Sequence, residues 1–119
     1  MSALLSHKLI RALAMIATLI LVLVIAHLSL SPAADVPAPH ISDKVKHFAA
    51  YFVLAGTVAT AFGPRRSMYA LILAVLYGLA MEVAQDMGHA GREGSVADAL
   101  ANTAGAACGV LAAKLLRRS

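Results

Sequence analysis

The stretch IRALAMIATLILVLVIAHLSL, residues Ile10–Leu30, decides the class of this protein. It holds one arginine near its start and one histidine near its end, and its other side chains carry no charge. A helix rises 1.5 Å per residue, so about 20 apolar residues cross the hydrocarbon core of a bilayer. The run therefore predicts a membrane-spanning helix.

Three further apolar runs follow the first, each separated from the next by a polar, proline-containing or glycine-containing segment. The chain has 119 residues, of which 61% are hydrophobic and 13% charged. A soluble domain of this length has too little interior to bury so much apolar surface. We therefore expect an all-α membrane protein with four transmembrane helices packed as an antiparallel bundle. The predicted spans are residues 10–30, 46–62, 68–85 and 96–116 of a single domain, 1–119.

The first run also has features of a secretory signal. A basic start, an apolar core and the small residues SPAA at positions 31–34 are typical of such a segment. However, the run is longer than the roughly 7–15 apolar residues of a signal core, and Pro32 lies within the candidate cleavage site. We expect an uncleaved helix, and cleavage would leave three spans in the same orientation.

Basic residues cluster in the segments that a four-span topology places on one side. Cytoplasmic loops carry such an excess of lysine and arginine, so we predict a multi-pass protein with both termini in the cytoplasm. These clusters follow topology, and no basic patch with interleaved aromatics occurs, so we expect no nucleic-acid partner. The residues concerned are Lys8, Arg11, Arg65, Arg66, Lys114, Arg117 and Arg118.

Ionisable and amide side chains concentrate on the opposite, outer side of this topology. Asp43, His47 and Tyr51 recur every four residues and so share one helical face. Glu82 lies about 6 Å inside its predicted helix end. A carboxylate facing lipid there costs several kcal/mol, so we expect it to face the bundle and pair with Arg92, Lys44 or His47. The complete outer set is Asp43, Lys44, His47, Tyr51, Glu82, Gln85, Arg92, Ser95, Asp98 and Asn102.

Two of these positions also fit helix caps. Ser42 or Asp43 can accept a hydrogen bond from a free amide at the start of the second span. The stretch SVAD, Ser95–Asp98, fits a capping box in which Ser95 caps the fourth span and Asp98 returns a bond. Capping does not exclude a functional role.

Packing explains other members of the set. Tyr51 fits an interfacial or packing aromatic, and Asn102 fits an interhelical hydrogen bond. Gly105 and Gly109 form a GxxxG face that suits close helix contact. This face also suggests a homo-oligomer.

Three segments of the chain form an ordered pattern: SDKVKHFAAYFVLAG, GLAMEVAQ and GREGSVADALANTAGAACG. The pattern is D-K-x-x-H-F-x-x-Y, then E-x-x-Q, then R-x-x-S-x-x-D-x-x-x-N-x-x-G-x-x-x-G. Over residues 42–109 it resembles the VanZ-like family of small bacterial membrane proteins. The resemblance implies location in the bacterial cytoplasmic (inner) membrane and a shared site formed by the ten residues of the outer set. The family is named for a member associated with glycopeptide resistance, so the resemblance also implies a role in susceptibility to glycopeptides or lipoglycopeptides.

Several functions compete at this stage. The preferred one is non-enzymatic binding of a headgroup at the outer leaflet, with Lys44 and Arg92 holding an anionic group. The ligand classes are a membrane lipid, a lipid-linked cell-wall precursor and a lipoglycopeptide. A structural or regulatory subunit, held together by the same polar residues, is an alternative. A proton-coupled transporter has little support, because inverted repeats and broken helices are absent from the sequence.

A membrane-lipid-modifying enzyme is the remaining alternative, with His47 as general base and Glu82 or Asp98 orienting it. The sequence lacks a G-x-S-x-G nucleophile motif, and Cys108 lies inside a predicted span. The histidines also lack the close spacing of metal-ligand motifs. We therefore expect no metal and no cofactor.

Overall fold

The computed structural model describes the backbone of residues 2–88, 91 and 94–118. Over these residues it is all-helical, with α1 at Ser2–Leu30, α2 at Asp43–Phe62, α3 at Ser67–Met87 and α4 at Val96–Arg118. Short 3-10 turns at Ala33–Asp35 and Pro64–Arg66 precede α2 and α3. All four helices are long and apolar enough to cross a membrane. The predicted fold class is confirmed.

Consecutive helices run in opposite directions. Near the start of α1, Arg11 donates to the carbonyl of Ala61 at the end of α2. Further along α1, the hydroxyl of Thr18 donates to that of Thr57. Because the directions alternate, α2 and α4 run in the same direction. In agreement with this, Arg117 near the end of α4 donates to carbonyls in the last turn of α2.

Two glycines allow α2 and α4 to approach closely, and these helices make the most extensive contact between described elements. A methyl group at Gly105 would overlap the carbonyl oxygen of Phe48, and one at Gly109 would overlap that of Phe52. Small residues permit such backbone contact in membrane helices. The predicted close-contact face is therefore real, and it packs against α2 of the same chain. A homo-oligomer through this face stays a prediction.

Large apolar side chains lie on the outside of the bundle, whereas much of the core is alanine. Leu23, Leu76 and Leu111 are more than half exposed, while Ala55 and Ala106 are fully buried. A soluble monomer rarely exposes so much contiguous apolar surface. Lipid contact accounts for the pattern, because the bilayer solvates these side chains directly.

Capping explains where α2 begins. The side chain of Ser42 accepts a hydrogen bond from the amide of Lys44 at 3.2 Å. The helix therefore starts at Asp43, three residues before the predicted span, and its first turn carries the polar residues of the sequence pattern.

The predicted capping box at α4 is half correct. Ser95 caps the helix, since its hydroxyl accepts from the amide of Asp98 at 3.2 Å. The return bond was assigned to Asp98, and this was wrong: the amide of Ser95 donates to Glu82 Oε2 at 3.1 Å. Asp98 is one methylene shorter than the glutamate of a usual box, and its carboxylate faces Lys44 instead. The start of α4 is thereby tied to α3.

Candidate functional site

Buried polar side chains gather at one end of the bundle, where α2 and α4 begin and α3 ends. We call this region the polar end. Ser67 lies at the other end, and the remaining buried polar residues of the described chain all lie here: Glu82, Gln85, Asp98 and Asn102.

His47 lies between two carboxylates from different helices. Its Nδ1 is 3.6 Å from Glu82 Oε1, and its Nε2 is 3.6 Å from Asp98 Oδ2. The His47 side chain is 12% exposed, and residues Glu82 and Asp98 are 6% and 8% exposed. We call these three residues the carboxylate–histidine cluster. It joins α2, α3 and α4 below the bundle surface.

Asn102 sets the direction of the hydrogen bond at His47 Nδ1. A carboxylate only accepts hydrogen bonds, so the Asn102 amide nitrogen is the atom that faces Glu82 Oε1, at 3.5 Å. The amide oxygen then faces His47 Nδ1 at 2.7 Å. Nδ1 therefore carries a proton and donates it to Asn102. In the neutral ring, the lone pair of Nε2 is directed to the side of Asp98.

Lys44 supplies a cation at the edge of this cluster. Its Nζ is 3.0 Å from Asp98 Oδ1, and its side chain is 54% exposed. Lys44, His47 and Arg92 were the predicted partners of Glu82, and among the described residues His47 is the one of these that lies against it, at 3.6 Å. Arg92 lies outside the described residues.

A cavity of about 280 Å³ adjoins the cluster and includes His47 in its wall. Two residues of this wall, Tyr51 and Gln85, carry a buried hydroxyl and a buried amide nitrogen for which the described part of the chain offers no hydrogen-bond partner. Each residue is 2% exposed. More than nine in ten buried polar groups are paired in folded proteins, and an unpaired one costs about 1–3 kcal/mol. A ligand that offers hydrogen-bonding atoms inside the cavity would remove this penalty if these two side chains turned their polar groups toward it.

The remaining cavity wall is mostly apolar and comes from α1, α2 and the loop between them. Its members are Ile25, Leu28, Ser29, Val36, Pro37, Ala38 and Ala50, together with Asp43 and Lys46 at the start of α2. Sequence reasoning missed the contribution of α1 and the loop, because isolated apolar residues in a span or a proline-rich loop give no signal. It also selected Lys44, whereas Lys46 is the lysine that lines the cavity.

The predicted outer set thus divides into four parts. Glu82, His47, Asp98 and Asn102 form a connected interior group, and Lys44 contacts it from the surface. Tyr51 and Gln85 line the cavity with Asp43, which is exposed. Ser95 is tied to Glu82 through its backbone amide. Arg92 is the member that lies outside the described residues.

A family model described as VanZ/LLP1 matches residues 7–117 of the chain. The chain belongs to the VanZ/LLP1 family. The match confirms the resemblance found over residues 42–109 and extends it through α1 and α4. No curated protein and no solved structure matches this VanZ/LLP1 chain significantly. Membership therefore supports a multi-pass membrane protein, in agreement with its four long apolar helices.

Proposed function

We propose that this VanZ/LLP1 protein binds the headgroup region of a membrane lipid, or of a lipid-linked envelope molecule, in the cavity at its polar end. The observation that carries the proposal is that two cavity-lining residues have a buried polar group, the Tyr51 hydroxyl and the Gln85 amide nitrogen, with no partner among the residues the structure describes. Both can donate hydrogen bonds, so a ligand with ester, phosphate or hydroxyl oxygens would satisfy them.

The position and lining of the cavity favour an amphiphilic ligand. The cavity lies where helices end, which is the level of headgroups and glycerol esters in a bilayer. Its apolar wall includes Ile25 and Leu28, which can contact the first methylenes of an acyl chain. Its polar wall includes Tyr51 and Gln85. A lipid presents the same two chemistries side by side.

The size of the cavity narrows the choice of ligand. At about 280 Å³ it is near the lower limit of ligand pockets, which hold roughly 300–1,000 Å³. A phospholipid headgroup with its ester region is of that scale, whereas an entire lipoglycopeptide is much larger. A lipid-linked precursor or a lipid-tailed antibiotic would therefore insert only the part next to its lipid chain.

Charge at the cavity favours a phosphate-containing headgroup. Asp43 and Lys46 both line the cavity at the start of α2. Lys46 can pair with a phosphate, and Asp43 can accept from an amine or hydroxyl of the same headgroup. Lys44, the lysine preferred from sequence, is already paired with Asp98.

We further infer that the polar end faces the outer leaflet of the bacterial cytoplasmic membrane. The opposite end of the bundle carries Arg11, Arg65, Arg66 and Arg117, as cytoplasmic ends do. With four spans, both termini then lie in the cytoplasm. In this position the protein would meet lipid-tailed antibiotics and exported precursors, which supports a role in glycopeptide or lipoglycopeptide susceptibility.

Native mass spectrometry of the purified full chain tests the proposal. The protein would be released from detergent micelles in the mass spectrometer. The phospholipid molecules that stay bound would then be counted for wild type, Gln85→Leu and Tyr51→Phe. We expect each variant to weaken retention roughly fivefold, as loss of one hydrogen bond of about 1 kcal/mol does. Tyr69→Phe is the matched control, since Tyr69 is exposed on α3 and lies outside the cavity wall. Equal retention in all four proteins would contradict the proposal.

A lipid-modifying enzyme is the second candidate, favoured by the position of His47 between Glu82 and Asp98. A histidine oriented by carboxylates suits proton transfer. Turnover of a phospholipid or precursor that is lost in His47→Gln, with lipid retention unchanged, would place this candidate first.

A further inference from the structure

We propose that His47, Glu82 and Asp98 form a binding site for a divalent transition-metal ion, with Zn²⁺ chemistry as the best match. Each residue offers one ligand atom, and the three atoms lie within 4.8 Å of one another. The spacing of histidines along the chain predicts no such site, because the ligands come from three different helices. This inference does not depend on lipid binding.

The separation of one ligand pair, His47 and Asp98, fits a metal between them, and Glu82 is near enough to complete the site. Zinc lies about 2.0–2.2 Å from histidine nitrogen and carboxylate oxygen, so two ligands of a tetrahedral site are roughly 3.3–3.6 Å apart. His47 Nε2 and Asp98 Oδ2 are separated by 3.6 Å. That distance is too long for a direct hydrogen bond.

The hydrogen bond between His47 and Asn102 provides independent support. Asn102 Oδ1 accepts a hydrogen bond from Nδ1, so Nε2, on the side of the Asp98 carboxylate, is the ring nitrogen left to bind a metal. An ion bound to Nε2 would lie between the ring and this carboxylate. Metal-binding histidines usually donate their second N–H to a carbonyl or carboxylate oxygen, as His47 does to Asn102.

The charge of the site also favours a dication. Glu82 and Asp98 are both buried, and among the described lysines and arginines it is the half-exposed Lys44 that pairs with this cluster, through Asp98. The Lys44 side chain can move out to the headgroup region when a metal ion replaces its ammonium group beside Asp98. One imidazole with two carboxylates suits Zn²⁺ or Mn²⁺ better than Cu⁺, which prefers sulfur ligands. Three protein ligands leave a fourth position for an exogenous oxygen, as in catalytic zinc sites.

Cobalt substitution tests the site in the full-length protein. The chain, freed of any affinity tag and stripped with a chelator in detergent, would be titrated with Co²⁺ and followed by visible absorption and calorimetry. We expect the protein to bind one Co²⁺ ion per chain and to show the visible absorption bands of Co²⁺ with four or five ligands. Added Zn²⁺ should displace the Co²⁺ and abolish these bands. Asp98→Asn and Glu82→Gln, which keep side-chain shape, should each weaken binding at least about tenfold.

A matched control separates this site from adventitious binding. His40→Ala removes an exposed histidine in the loop before α2 and should leave the Co²⁺ affinity unchanged. Should the wild type bind no ion, or should Asp98→Asn and Glu82→Gln bind it as tightly as wild type, the inference is overturned. Circular dichroism at each titration point confirms that the variants are folded, so a loss of binding can be assigned to the ligands.

Discussion

His47 on α2 donates a hydrogen bond from Nδ1 to Asn102 Oδ1 on α4, at 2.7 Å. Asn102 is 2% exposed, so both partners make this bond away from lipid and water. The Asn102 amide nitrogen faces Glu82 on α3. One side chain thereby connects three helices and determines the tautomer of the histidine.

Replacing Asn102 tests this connection. Asn102→Ala removes the partner of His47 Nδ1 and a donor to Glu82, leaving buried polar groups unpaired. We expect a loss of about 1–3 kcal/mol in the free energy of unfolding, measured by denaturant titration in mixed micelles. Thr103→Ala, one residue further along α4, loses only a bond to its own helix and should have a smaller effect. If Asn102→Ala and Thr103→Ala lowered the free energy of unfolding equally, the interhelical hydrogen bonds of Asn102 would have no special role in stability.

Tyr51→Phe should have opposite effects on stability and on binding. The Tyr51 hydroxyl is buried and has no hydrogen-bond partner within the described part of the chain, so its removal relieves a penalty in the lipid-free protein. We expect the variant to melt at a higher temperature than wild type after delipidation in detergent. Added phospholipid should raise the melting temperature of wild type more than that of the variant. A variant that is less stable without lipid would show that the hydroxyl already has a stabilising role.

The contact between α2 and α4 depends on glycine at one face of α4. Gly105→Ala would place a methyl group against the carbonyl of Phe48, and such overpacking costs about 1–3 kcal/mol. We expect lower folded yield and a lower melting temperature in detergent. Gly56→Ala is the matched control, because its methyl group would lie 3.5 Å from Gly109 O, an ordinary contact. If both variants behaved alike, close packing at Gly105 would not be the cause.

Cysteine labelling tests the proposed orientation. Cys108, the single cysteine, is first changed to serine, and new cysteines are placed at Pro39 in the first loop or at Arg65 in the second. We expect a membrane-impermeant maleimide to label Pro39→Cys on intact spheroplasts, and to label Arg65→Cys only after lysis. The reverse pattern would place the polar end in the cytoplasm.

The sequence predicts much of this architecture because membrane helices carry their signals locally. Apolar length defines four spans, and glycine spacing at Gly105 and Gly109 defines a close-contact face. Period-four spacing also placed Asp43, His47 and Tyr51 on one side of α2. These features depend on residues within one helix, so they can be predicted without knowledge of the tertiary structure.

What could not be predicted arises between helices. Glu82, not Asp98, accepts the amide of Ser95, because α3 lies against the start of α4. Lys46, not Lys44, lines the cavity. The sequence offered His47 as one of three partners for Glu82, but its position between both carboxylates depends on how three helices pack.

The central claim is that the cavity at the polar end holds a lipid headgroup region, and cross-linking tests it most directly. A phospholipid with a photoreactive group in its headgroup would be incorporated into bilayers with the full-length protein, and cross-linked residues mapped by mass spectrometry. We predict cross-links concentrated on Ser29, Val36 and Pro37, and their loss with excess unlabelled phospholipid. Cross-links confined to other residues at headgroup depth, or the same pattern with Gln85→Leu as with wild type, would contradict the claim.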